Sequence, residues 1–132
     1  ENKVHPSGKW LYVNDTMGRA VVRYAIKHDG GLGPKEIAAE YGDGNFPDGF
    51  EFDCEGGIWM TSIVSNRVVH VSPEGRETII LEAGDQGLIA RSEAAYQNGD
   101  FNRDYQNEGN ASPLGNCASI CFGGPDLKSV FL

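Results

Sequence analysis

The chain has 132 residues, room for one core rather than several, and its 39% hydrophobic and 10% aromatic content excludes a disordered segment. Eleven basic residues against 19 acidic ones give a net charge of −8, which excludes a nucleic-acid binder working through clustered lysine and arginine. No apolar run reaches the roughly 18 residues of a membrane helix, so no membrane partner is expected either.

In chain order, Leu11 to Asn14, Ala20 to Ile26, Gly49 to Asp53, Ile58 to Ile63, Arg67 to Ser72, Glu77 to Glu82 and Val130 to Leu132 have the length and the β-branched or aromatic content of strands. Glycine-bearing turns punctuate them: Asp29-Gly30-Gly31, Glu55-Gly56-Gly57, Glu74-Gly75 and Gly123-Gly124-Pro125. Helical periodicity is weak and confined to Ile89 to Tyr96. The polar, Gly- and Asn-rich stretch from Gly84 to Gly115 predicts a long inserted loop. The expected class is all-β, built from short antiparallel strands. Cys54, Cys117 and Cys121 lack the spacing of a zinc site and are expected to be buried, reduced thiols.

An internal repeat organises these strands. Gly8-Lys9-Trp10-Leu11-Tyr12-Val13 aligns with Gly56-Gly57-Ile58-Trp59-Met60-Thr61 at an offset of 48, and Arg19 aligns with Arg67 at the same offset. A third copy, Lys128 to Leu132, matches Lys9 to Val13 after a longer interval, and the insertion at 84–115 accounts for the difference. Without the insertion the unit approaches the roughly 40 to 45 residues of a four-stranded propeller blade. Such a unit cannot bury both faces alone, so further units must stack beside it until a ring closes.

The densest chemical signal is Phe46-Pro47-Asp48-Gly49-Phe50-Glu51-Phe52-Asp53. Pro47 keeps Phe46 extended, Gly49 frees the backbone, and alternating Phe50 and Phe52 open a half-buried strand, so Asp48 sits at a strand mouth on a stiff support. A carboxylate so placed suits a hard cation. An aspartate before glycine also commonly does no more than stabilise its own turn, and the residues alone leave both readings open.

The stretch from Phe46 to Trp59, continued by Asn66-Arg67-Val68-Val69 and Val71-Ser72-Pro73-Glu74-Gly75, resembles the gluconolactonase and regucalcin family. Pro6 to Asp15 is similar to the preceding blade and Cys121 to Lys128 to the next, so the likeness covers nearly everything except 84–115. The resemblance implies about two and a half blades of a six-bladed β-propeller, with the remainder of the propeller needed to close the fold. It also implies a divalent metal, calcium first and zinc second, held by a Glu, one or two Asn and an Asp. By motif position that Asp is Asp48, as metal ligand and as catalytic base; the other ligands fall before Glu1. Asn2 stands two residues away from the motif's Asn and is not assigned.

The activity so implied is hydrolysis of a small-molecule sugar lactone, with a metal-bound water attacking the carbonyl. The alternative is a non-catalytic metal- or ligand-binding scaffold, because fold does not fix function. The repeat register adds Ser119, eight residues before Leu127 as Asp48 is before Gly56, as a substrate-binding candidate; a hydroxyl satisfied by its local backbone is the plainer alternative. The inserted segment is expected to cap the channel. No serine lies in a G-x-S-x-G elbow, and His5, His28 and His70 are too scattered to build a catalytic pair.

Overall fold

The computed structural model describes residues 1–132. Strands β1 (Asn2–Val4), β2 (Trp10–Asp15), β3 (Ala20–Ile26) and β4 (Leu32–Glu40) form one antiparallel sheet in chain order. Strands β5 (Pro47–Phe52), β6 (Ile58–Ser62), β7 (Arg67–Val71) and β8 (Glu77–Glu82) form a second on the same plan. After helices α1 (Gln86–Asn98) and α2 (Arg103–Gly109), strands β9 (Cys121–Gly123) and β10 (Ser129–Phe131) begin a third.

The second sheet is the middle layer and is buried on both faces. Strand side chains alternate between faces, so Phe50, Met60 and Val69 pack toward Tyr12, Val21 and Tyr41 of the first-sheet segment, while Val68 packs with Cys117 and Ile120 on the other side. Phe50, Met60 and Val69 are fully buried; burial of each such side chain contributes about 1.5–3 kcal/mol. Neither sheet could bury its apolar face without the other, and this fixes their stacking.

The repeat register is visible in the backbone. Gly8, Gly56 and Leu127, aligned in sequence, all sit in the left-handed region at φ 70°, 89° and 56°, each in the turn between the first two strands of its sheet. The seven strands expected from sequence are present with ends shifted by at most two residues, and β1, β4 and β9 are additional. Strand β4 carries Gly33 and Pro34 and has no buried residue, a composition tolerated there because it is the sheet's edge.

The inserted loop expected at 84–115 is instead mostly helical. Asp85 caps α1 by accepting from the Leu88 N–H, and Gly99 closes it at φ 78°. Leu88, Ile89, Ser92 and Ala95 make one buried stripe along an otherwise polar helix. The cysteines also depart from expectation: all three are free, but only Cys117 is buried, and Cys54 and Cys121 are exposed. Both stand at or just beyond the ends of first strands, where the side chain leaves the stacked core.

Candidate functional site

The pairing of β5 with β6 slips between Pro47 and Phe50, so Asp48 and Gly49 form a β-bulge. A bulge removes two residues from the ladder and re-aims their side chains. The polar groups it frees are taken up individually. The Thr61 hydroxyl accepts from the Gly49 N–H at 3.1 Å and donates to the Gly49 carbonyl at 3.2 Å. Asn14 Nδ2 donates to the Asp48 carbonyl at 3.0 Å, and the Thr16 hydroxyl donates to that of Pro47 at 2.7 Å. Asp48 itself is half-buried, between fully buried Pro47 and buried Gly49.

These supports are themselves fixed. Thr61 is fully buried, and Asn14 Oδ1 accepts from the Tyr41 hydroxyl at 3.5 Å. Burial, with the Glu77 carboxylate nearby, pushes the Tyr41 phenol well above its ordinary range, so it remains a neutral donor. The approach loop, residues 42–46, is equally tied down. Glu77 accepts from the Gly42 N–H and from Asn45 Nδ2, Arg67 Nη1 donates to the Asp43 carbonyl and Asn45 Oδ1, and the Ser62 hydroxyl accepts from the Phe46 N–H.

Two further segments converge on the bulge. Gly49 lies so close to the chain before β9 that a methyl carbon on it would stand 2.5 Å from the Ala118 carbonyl oxygen and 2.8 Å from the Ser119 Cα. Ser119 is exposed, its backbone against the residue that follows Asp48. On the other side Glu1 Oε2 accepts from the Phe50 N–H at 3.1 Å, and Lys3 Nζ bridges Glu51 at 2.8 Å and Glu1 at 3.4 Å. The structure therefore brings the backbones of the two sequence candidates, Asp48 and Ser119, into one place.

As to a metal, the carboxylate of Asp48 is a suitable hard donor. No group of three or more His, Cys, Asp or Glu side chains assembles anywhere in the chain to hold a cation, and the Asn14 amide is engaged at both ends. The residues present thus offer one ligand and not a coordination sphere. Thr61, Asn14 and Thr16 were missed by sequence reasoning; only Thr61 carried a signal, its alignment with Val13 at the offset of 48.

At the opposite end of β5, Asp53 is held below the usual carboxylate range. Burial opposes this, but the Gly57 N–H, the Trp59 indole, the Glu55 N–H and the His70 ring all donate to it. Asp53 orders its own turn through the Glu55 and Gly57 N–H groups. His70 of β7 is its partner across the sheet.

A family model described as the SMP-30/Gluconolactonase/LRE-like region matches residues 3–88. The chain belongs to this family. The matched span contains both four-stranded sheets except Asn2, includes the Asp48 bulge and ends inside α1. Among curated relatives, a 6-deoxy-6-sulfogluconolactonase of Pseudomonas putida is 34% identical over 73 residues, covering 54% of this chain and 25% of its own length. Among solved structures, a luciferin-regenerating enzyme superposes with a TM-score of 0.62 at 17% identity, covering 98% of this chain and 34% of its own. Regucalcin of Agrobacterium tumefaciens, described as a calcium-binding protein, gives 0.60 at 20%, covering 96% and 34%.

The chain thus spans about a third of those two structures and a quarter of the curated relative. Two complete four-stranded sheets and a third begun make it about two and a half blades of the family's six-bladed β-propeller. No helix is long and apolar enough to cross a membrane.

Proposed function

We propose that the intact protein hydrolyses a sugar lactone with the help of a divalent cation, and that Asp48 is both a ligand of that cation and a base toward the attacking water. The observation that carries this reading is the bulge: a carboxylate lifted out of the strand ladder, with its own carbonyl, its neighbours' carbonyls and the Gly49 N–H all fixed by side chains from β2, the turn after it, and β6. Such immobilisation costs ordering in advance and is what metal binding and proton transfer both require.

The cation, calcium with zinc as alternative, would supply Lewis acidity toward the lactone carbonyl. Asp48 alone does not hold it, and its remaining ligands are assigned to parts of the propeller outside this chain. Asp48, its backbone fixed by Asn14, accepts a proton from water as that water adds to the carbonyl; the ring C–O bond then breaks and the proton passes to the departing oxygen. Ser119, which borders Gly49, is assigned to the substrate's hydroxyl groups.

The test uses the full-length protein, stripped of metal and titrated with calcium or zinc, as wild type and as Asp48→Ala. Lactone hydrolysis that returns with metal in the wild type and is lost by about a hundredfold or more in the variant supports the reading. Metal binding by the wild type without turnover of any aldonolactone rejects it in favour of a binding scaffold.

A further inference from the structure

Two residues before Asp48, Phe46 is fully buried beneath the inserted helices. Phe101 stacks on its ring at 4.4 Å and Tyr96 meets it edge-on at 5.9 Å. Beside it lies Arg19, buried at the turn between β2 and β3, its guanidinium 4.5 Å from the Phe46 centroid and 3.8 Å from that of Tyr96. Glu93 of α1 receives both terminal nitrogens of Arg19, at 3.0 and 2.6 Å, and also the Gly44 N–H of the approach loop at 2.7 Å. Gln97, one turn on, donates to the same carboxylate at 2.8 Å, and the Tyr96 hydroxyl donates to the Met17 carbonyl at 2.7 Å.

The geometry points to Glu93 as a positioning residue for Asp48: from the inserted helix it clamps Arg19 and the Gly44 N–H together and so fixes the loop that delivers Asp48 into its bulge. Of the side-chain hydrogen bonds to the loop, all others come from the second sheet itself; Glu93 alone supplies one from the insertion, and the same carboxylate holds Arg19 of the first-sheet segment. The site thus depends on a segment that the family model, ending at residue 88, does not include. It also gives the insertion a role besides that of a cap over the channel. Gly44 is at φ 75°, and a methyl carbon there would lie 2.8 Å from the Ile89 side chain, so the helix is seated directly on the loop.

The pair is charged across the working range. The Arg19 guanidinium, with Gln97 and the Gly44 N–H, holds the Glu93 carboxyl down at about 2 against its partial burial. Exchange of that carboxylate for an amide of the same shape removes the charge and one acceptor while leaving the packing in place.

The inference rests on the lactonase reading for its kinetic consequence but not for its structural one, and the experiment separates them. In the full-length protein, Glu93→Gln is compared with Arg91→Gln on the same helix, which breaks the exposed pair between Arg91 and Glu108 of α2. Amide hydrogen exchange is read over residues 42–48, and kcat and KM for lactone hydrolysis are read in parallel. Glu93→Gln is expected to speed exchange at Gly44 to Phe46 by about tenfold or more, as loss of a charge-assisted hydrogen bond does. It should lower kcat by about tenfold with KM changed less than about threefold, the signature of a misplaced group rather than lost binding.

Arg91→Gln should change neither. Should Glu93→Gln lose protection throughout β6 and β7, it has unfolded, and Tyr96→Phe, which removes only the hydroxyl to Met17, takes its place with a smaller rise in the same amides. Unchanged exchange over 42–48, or faster exchange with kcat within about twofold of wild type, overturns the inference. A wild type that turns over no lactone rejects the lactonase instead, and exchange at Gly44 to Asp48 then decides the clamp alone.

Discussion

Thr61→Val is the cleanest perturbation of the Asp48 bulge. Valine keeps the volume and β-branching of threonine, so the strand and its packing are retained and only the hydroxyl is lost. That hydroxyl closes two contacts, from the Gly49 N–H at 3.1 Å and to the Gly49 carbonyl at 3.2 Å, both buried. Removal leaves a donor with no other partner and an acceptor that keeps only a long contact of 3.4 Å from Asn14 Nδ2. An unsatisfied buried group costs about 1–3 kcal/mol, so the donor and the weakened acceptor together predict a loss of about 2–4 kcal/mol. The assay is urea denaturation of the full-length protein, with Thr61→Ser as the control that keeps the hydroxyl and deletes a methyl. Thr61→Ser should lose no more than about 1.5 kcal/mol, the range of a single buried methyl group. A loss below about 1 kcal/mol for valine, or a larger loss for serine than for valine, would refute the idea that the hydroxyl holds the bulge.

Three further outcomes follow from the same packing. Gly49→Ala places a carbon 2.5 Å from a carbonyl oxygen of the chain leading to β9, so the third sheet must shift away from Asp48, with a stability loss of about 1–3 kcal/mol and reduced lactone turnover. Asn66→Ala, at a fully buried residue that accepts from the Cys117 N–H at 2.8 Å and donates to the Gly109 carbonyl at 3.1 Å, should cost about 2–4 kcal/mol and release α2 first, as read by hydrogen exchange over 103–117. Because Glu93 has its pKa depressed in the folded state to about 2, its contribution is complete above the ordinary glutamate range and is lost as pH falls from there toward 2. Protection of α1 should therefore hold at pH 5 and weaken by pH 3, and Glu93→Gln should lack that acid-dependent portion.

Much of the fold was legible because its information is local. Strands β5 to β8 are short runs rich in β-branched or aromatic residues, with glycine turns between β5 and β6 and between β7 and β8, and the offset of 48 carries the blade plan in the sequence itself. Strand β4 was not legible, since an edge strand needs no buried pattern and tolerates Pro34. The helices were obscured for a different reason: α1 has only four buried positions in 13 residues and no charged residue in its first or last turn to complement the dipole, so its Asp85 cap and Gly99 stop were the main signals. At the site, Asp48 stood out through its Pro-Asp-Gly context. Its supports did not, because Asn14, Thr16 and Thr61 acquire their meaning only when sheets distant in sequence are stacked.

Arg19 and Arg67 occupy one position of the repeat, yet they find their carboxylates in different places. Arg67 reaches Glu82 directly across the ladder, on the outer strand of its own sheet. Beside Arg19 the corresponding place is taken by Tyr41, whose N–H bonds the Arg19 carbonyl, and the acid comes from α1 instead. Both complete blades thus present a cationic socket at their rim, indifferent to the origin of the acid that fills it. Chain can be added to such a ring between two sheets without altering any strand, provided the added segment brings one glutamate to the height of an unfilled socket.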